Sequence, residues 1–376
     1  MRTFIGAFLS LLAASMLLGQ RRGLTIDLQT PEGQAIQRIG EEPDEAKKVA
    51  QLEEFVAKYP KYEGLVLVYG MMVTSYGKLS QFDKVMESGE KLLALDPLDA
   101  RTAHLCLKAA EAKKDPDLVI KWSTKASEVA RKVAATAKPA EEDAVEQWEQ
   151  DVNFAKQLDL YTEYSLYATA LQTNDPAKKI LLVESLEQRN PQSQYLPQIA
   201  SQYFLALRQT GKTEKAIAVA EKALEKDQSN EDMLLVVADY YMQKKEQPEK
   251  VLDYSAKLVS LMSSKPAPEG VSATDWQKKK DLTLGLGYWM TGVTYANQNK
   301  FGPADKALRQ ALPFIKGNEQ LLASALFYLG LANYKLENIL DAIKFNEQCI
   351  AIKSPYQARA AQNLKVIRSQ YRLVRK

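Results

Sequence analysis

Apolar and small residues mark out the same pattern of paired helices again and again along the chain. Counting back from Asp96-Pro97, the positions are Leu92, Val85, Phe82, Tyr76, Val73, Met72 and Tyr69. Thirty-four residues beyond Val85 stands Val119, with Ala103, Leu107, Ala110, Ser123 and Ala126 at the matching offsets. The frame fits Leu166, Tyr167, Ala170, Ile180, Val183 and Leu186 before Asn190-Pro191, then Phe204, Leu207, Gly211, Ala216, Ala220 and Ala223. It fits twice more near the C-terminus, around Tyr288, Gly292, Tyr295, Ala304, Leu308 and Ala311, and around Leu329, Gly330, Tyr334, Ala342, Ile343 and Cys349. Looser copies cover 231–262 and 29–60; in the latter Ile36 and Ile39 precede a helix expected over 44–58.

These residues resemble the tetratricopeptide repeat, a 34-residue helix-turn-helix with small or aromatic residues at fixed offsets and often a closing proline. Small residues let the two helices of a unit approach, large ones fill the space between units, and proline stops the second helix. The resemblance implies an all-α, right-handed α-solenoid of about eight helix pairs over residues 29–353, closed by a C-terminal capping helix. It also suggests a bacterial exported repeat protein. Residues 51–60, QLEEFVAKYP, resemble the repeats of periplasmic outer-membrane assembly and tol-associated bacterial proteins.

The period breaks at 132–158, where Lys138-Pro139-Ala140 precedes the charged stretch Glu141 to Gln157, and a long first helix is expected to protrude there. It breaks again at 262–275, a long flexible loop after which Thr274 or Asp275 is positioned to cap the next helix. Neither break shows the alternation that a strand-containing second domain needs, so one continuous solenoid is expected.

Residues 354–376 form a different kind of segment. Ser354 and Pro355 suit a helix start, Leu364, Ile367, Tyr371 and Val374 make one apolar stripe, and six basic residues stand with no acid. This reads as a basic amphipathic cap over the last repeat, with contact to anionic lipid or an acidic partner as the sharper alternative.

Residues 1–20 have the layout of a secretory signal: Arg2, an uncharged apolar run from Phe4 to Leu18, then small residues. The run is shorter than the roughly 20 residues that span a bilayer, so export to the periplasm or exterior with cleavage is the first expectation. An uncleaved membrane anchor through residues 4–18, followed by Arg21-Arg22, is the second.

Composition narrows the chemistry. Lys and Arg number 50 against 47 for Asp and Glu, a balance too even to suggest a nucleic-acid partner. One histidine, His104, and two cysteines, Cys106 and Cys349, leave little for a metal site or a His-centred triad, and no cofactor is expected. Gly285-Leu-Gly287 lacks the strand-turn-helix context of a phosphate cradle. Acidic clusters such as Glu141-Glu142-Asp143 read as solvated faces.

What remains is the inner surface. The resemblance implies that the second, fifth, ninth, twelfth and thirteenth positions of each first helix line a concave groove. The front half then offers Leu67, Thr74, Lys78, Arg101, His104 and Lys108. The middle and rear offer Tyr161, Tyr164, Leu205, Arg208, Leu235, Met242, Trp289, Asn297, Phe327 and Tyr334, a set rich in aromatics that suits an extended or helical peptide. Gly70 with Thr74 and His104 with Lys108 do not reproduce the Lys and Asn pairs with which co-chaperones of the family hold a terminal carboxylate. The expected function is a non-catalytic, exported protein-interaction scaffold. A membrane-tethered assembly or chaperone-like factor of the cell envelope is the alternative.

Overall fold

Punctuation by caps and turns sets the architecture, and the computed structural model describes it for residues 26–371. Eight successive helix pairs are followed by a single helix. The first four pairs are α1 and α2 (Pro31–Glu41, Glu45–Lys58), α3 and α4 (Leu65–Lys78, Phe82–Leu95), α5 and α6 (Ala100–Lys113, Pro116–Ala134), and α7 and α8 (Glu142–Gln172, Pro176–Arg189). Then come α9 and α10 (Tyr195–Gln209, Thr213–Leu224), α11 and α12 (Glu231–Lys244, Pro248–Ser264), α13 and α14 (Ala273–Asn297, Phe301–Ile315), and α15 and α16 (Glu319–Lys335, Ile339–Ile350). The single helix is α17 (Gln357–Gln370), and no strand occurs among the described residues. Helices pack chiefly on their chain neighbours, so this is an all-α helical-repeat fold of the solenoid class. Packing divides the chain into two compact units at Ile199 and Ala200, a boundary that falls within α9.

Acceptor side chains start many of the helices. Asp44, Asp99, Asp115, Asp175, Asn230 and Asn318 each accept a backbone N–H of the first turn, and Pro116 and Pro176 follow directly on two of them. Five of the turns within pairs share one closing device. Ser80, Gly211, Lys245, Asn299 and Glu337 all have φ between 55° and 71°. The next residue donates its N–H five positions back: Gln81 to Tyr76 O at 2.9 Å, Lys212 to Leu207 O at 2.9 Å, Glu246 to Tyr241 O at 3.3 Å, Lys300 to Tyr295 O at 2.9 Å, and Asn338 to Asn333 O at 2.8 Å. This is the left-handed Schellman closure of a helix C-terminus.

Both breaks in the period are helical for more of their length than expected. In the first unit α6 is drawn out to 19 residues and α7 to 31, which leaves only residues 135–141 as a connection. The front half of α7 does not protrude. Val152 and Ala155 are buried, as are Val129 and Val133 on α6, and Trp148 Nε1 donates to Thr136 Oγ1 at 3.0 Å. The lengthened α6 supplies the apolar partner that lets this part of α7 leave water.

In the second unit the loop shortens to residues 265–272, and Ser272 rather than Thr274 or Asp275 caps α13, accepting the Asp275 N–H at 3.1 Å. The loop is tied down at its start. Buried Glu231 accepts Lys265 Nζ at 2.5 Å and Lys279 Nζ at 2.8 Å.

Two further expectations shift. Ile36 and Ile39 lie inside a helix of their own, α1, capped by Thr30. The last helix starts at Gln357 rather than at Ser354-Pro355, because a turn comes first in which Ser354 O accepts the Gln357 N–H. Ala360, Leu364 and Ile367 of α17 are buried against α15 and α16, and Arg368 pairs with Glu347 at 2.6 Å. Residues 1–20, with the expected signal or anchor at 4–18, lie outside the described residues, as do Arg372, Val374, Arg375 and Lys376.

Candidate functional site

The widest stretch of partly exposed rings lies in the first unit. His104 and Lys108 stand four residues apart on α5, and Tyr161, Tyr164 and Tyr167 follow at intervals of three on α7, so each set occupies one helix face. The ring of His104 sits edge-on to Phe154 at 5.9 Å and to Tyr161 at 5.5 Å. Tyr161 lies 6.0 Å from Tyr164, Tyr164 lies 6.0 Å from Tyr195 at the start of α9, and Tyr195 stacks on Tyr167 at 4.9 Å. Six rings therefore form one continuous strip. Tyr164 is its most open member, 46% exposed.

Beside the strip opens a cleft of about 410 Å³ lined by Lys108, Glu111, Tyr161, Tyr164, Ser165 and Thr169, among others. Its polar groups are already committed to one another. Lys108 Nζ donates to Glu111 Oε2 at 2.7 Å and to Tyr161 Oη at 3.0 Å, and the Tyr161 hydroxyl donates to Glu111 at 2.8 Å. Burial pushes the Tyr161 hydroxyl up to about 12, with Glu111 adding to the rise and Lys108 opposing it. Burial opposes the charge on Lys108, but hydrogen bonds to Glu111 and Tyr161 outweigh it and hold the ammonium above its ordinary value. His104 is shifted down, first by burial and then by the nearby Lys108 cation, so its imidazole is neutral at pH 7.

At the near end Arg101 meets Asp151 at 3.4 Å and lies over the Phe154 ring. The strip thus offers a ligand ring faces, a tyrosine hydroxyl and few uncompensated charges. Glu111, Phe154, Tyr167 and Tyr195 are absent from the sequence-based set. Glu111 has a sequence signal, three residues beyond Lys108 on one helix face, whereas Phe154 lies in a stretch read as a charged protrusion.

The rear residues fall in the second unit and take up several different roles. Leu205 and Arg208 are exposed on α9, with the Arg208 guanidinium 5.8 Å from the Phe204 ring. Leu235 and Met242 are half-buried on α11. Asn297 is exposed at the end of α13.

Trp289 is half-buried and donates from Nε1 to Ser324 Oγ at 3.1 Å. Phe327 is only 3% exposed and belongs to the core beside which Trp289 packs. As a groove-lining ring Phe327 is therefore withdrawn. Tyr356 covers it at 5.2 Å and Arg359 at 4.4 Å, both from the segment that follows the last pair. Tyr334 points to the same segment, its hydroxyl donating to Gln370 Oε1 at 2.6 Å.

Both thiols are buried and unpaired, Cys106 against Val85 O and Cys349 against Ala323 O. Among the described residues no three His, Cys, Asp or Glu side chains gather as a metal site.

No protein-family model matches the chain, and no curated protein matches it. Solved structures with partial likeness include the TPR domain of P58(IPK), which is 12% identical, covers 91% of this chain and 99% of its own, and has a TM-score of 0.27. The Cut9–Hcn1 hetero-tetramer of the APC/C is 15% identical over 86% of this chain and 75% of its own, with a TM-score of 0.26. Yeast Tom70 is 10% identical over 91% and 95%, with a TM-score of 0.20. The fold assignment rests on the helix order and turn geometry of this chain.

Proposed function

We propose that the chain is an exported, non-catalytic interaction scaffold whose first unit holds an extended segment of a partner protein along the ring strip. The observation that carries this reading is the spacing of the rings. Side chains on one face of an extended, strand-like segment repeat every second residue, about 6 to 7 Å. The partly exposed rings from His104 through Tyr161 and Tyr164 to Tyr195 step by 5.5 to 6.0 Å, so successive side chains of such a segment fall between successive rings. Rings of this kind give contact area with little side-chain entropy to lose. Because Lys108 and Arg101 already have carboxylate partners, the strip favours an uncharged segment over a strongly charged one.

The test is a peptide array probed with the purified protein and with Tyr161→Ala/Tyr164→Ala. Loss of the wild-type hits at unchanged melting supports the strip; an unaltered pattern of hits removes it. Export rests on residues 1–20, and a mature N-terminus found between about residues 16 and 23 outside the cytoplasm supports it. Intact Met1 on cytoplasmic protein counts against it.

A further inference from the structure

We propose that the end of the second unit at which α15, α16 and α17 meet is a docking surface for an anionic lipid bilayer. This goes beyond the peptide reading, which concerns the first unit. The Tyr334 to Gln370 hydrogen bond brings the C-terminal ends of α15 and α17 together, and α16 begins beside them. Three apolar side chains crowd this end in water: Leu340 is 82% exposed, Tyr371 40% and Leu336 39%.

The repeat does not require them. Counted from the helix boundaries, the place of Leu336 is taken by Thr210, Lys245 and Gln298 in the three preceding pairs, and that of Leu340 by Glu214, Glu249 and Gly302. Only the final pair replaces polar or small residues with leucine at both positions. An apolar tip of this kind loses free energy in water and regains it on entering the headgroup boundary.

Charge selects the occupant. From Lys335 to Tyr371 there are six basic residues, Lys335, Lys344, Lys353, Arg359, Lys365 and Arg368, against three acids. Two of those acids are ion-paired within the fold: Asp341, at 2.5 Å, shares Arg309 with Asp305, and Glu347 takes up Arg368 at 2.6 Å, which leaves the lysines and Arg359 without a carboxylate from this stretch. Lys335, Lys344 and Lys365 are exposed. Leucines set among surplus lysines fit a negatively charged bilayer surface, where each basic side chain near the headgroups adds to attraction that salt screens. A second protein with an apolar patch would satisfy the leucines but leave the lysines without a role.

The experiment uses the full chain and co-sedimentation with vesicles of phosphatidylcholine alone or mixed with phosphatidylglycerol. Because residues 4–18 can themselves enter a bilayer, the readout is the difference between wild type and variants of the same chain. Leu336→Ser/Leu340→Ser should weaken binding to the anionic vesicles by roughly tenfold. Lys335→Gln/Lys344→Gln/Lys365→Gln should abolish the preference for anionic over neutral vesicles and most of the salt dependence. Both sets are exposed, so melting should not move.

The proposal is overturned if either variant binds anionic vesicles as wild type does, or if wild type shows no preference for them. It is also overturned if the leucine variant leaves vesicle binding intact while dissociating a dimer in sedimentation equilibrium, which would assign the tip to a second copy. Unchanged vesicle binding with lost duplex-DNA binding in the lysine variant would assign it to a general polyanion contact.

Discussion

Gly330 on α15 faces the amide of Asn346 on α16 so closely that a methyl group on the glycine would stand 2.5 Å from Asn346 Nδ2. Asn346 is fully buried, donates back along its own helix to Ala342 O at 2.7 Å, and leaves its Oδ1 without a hydrogen-bond partner. Gly330→Ala should therefore cost about 1 to 3 kcal/mol of stability in denaturant unfolding. Adding Asn346→Ala should return a large part of that loss by making room for the new methyl. Strictly additive effects of the two changes would show that the helices do not meet there.

The left-handed turns make a graded prediction. At Glu337 and Ser80 an ordinary side chain occupies a backbone region that glycine enters freely, and Asn299 holds the same region with a residue better suited to it. Glu337→Gly and Ser80→Gly should each stabilise by about 0.5 to 1 kcal/mol, and Asn299→Gly by less. Equal destabilisation by all three, measured by thermal melting, would contradict the shared turn geometry.

Glu231 fixes the sign of an acid response. Burial alone would raise its carboxyl, but hydrogen bonds from Lys265 and Lys279 prevail and hold it at about 2, against 4.5 for an ordinary glutamate. A group depressed in this way contributes its stability above pH 4.5 and loses it as pH falls towards 2. Hydrogen exchange around residues 229–232 and 265–279 should quicken over that interval. In Glu231→Gln the same segments should be less protected at pH 7 and change little on acidification.

Phe327 tests how the second unit is closed. With Tyr356 and Arg359 lying over it, Phe327→Ala should cost about 3 to 5 kcal/mol and release α17 to proteolysis. Tyr164→Ala, at an exposed ring of the first unit, should leave melting within about 0.5 kcal/mol of wild type. Reversed magnitudes would exchange the roles given to the two rings.

Helix pairs were legible because spacing of small and apolar residues is a local signal that survives without knowledge of neighbours. Asp96-Pro97 and Asn190-Pro191 both fall just past the ends of helices, α4 and α8. The site was legible only in part, since register tells which face of a helix a ring occupies but not what later chain covers that face. Tyr161 and Tyr164 share a strip because α7 leaves them partly open; Phe327, in a comparable register, disappears beneath a segment that begins after the last repeat. The same ignorance of neighbours made the front of α7 read as a projection, when an extended α6 was there to receive it.

The recurring turns carry a consequence for how such a chain can change. Each reversal at Ser80, Gly211, Lys245, Asn299 and Glu337 is closed by a hydrogen bond reaching back only five residues, with both partners inside the same pair. A duplicated or deleted pair therefore brings or removes its own hairpin, and the flanking helices need only offer an apolar face. Length in this architecture can be altered by unequal recombination in whole pairs, with no new junction to be invented.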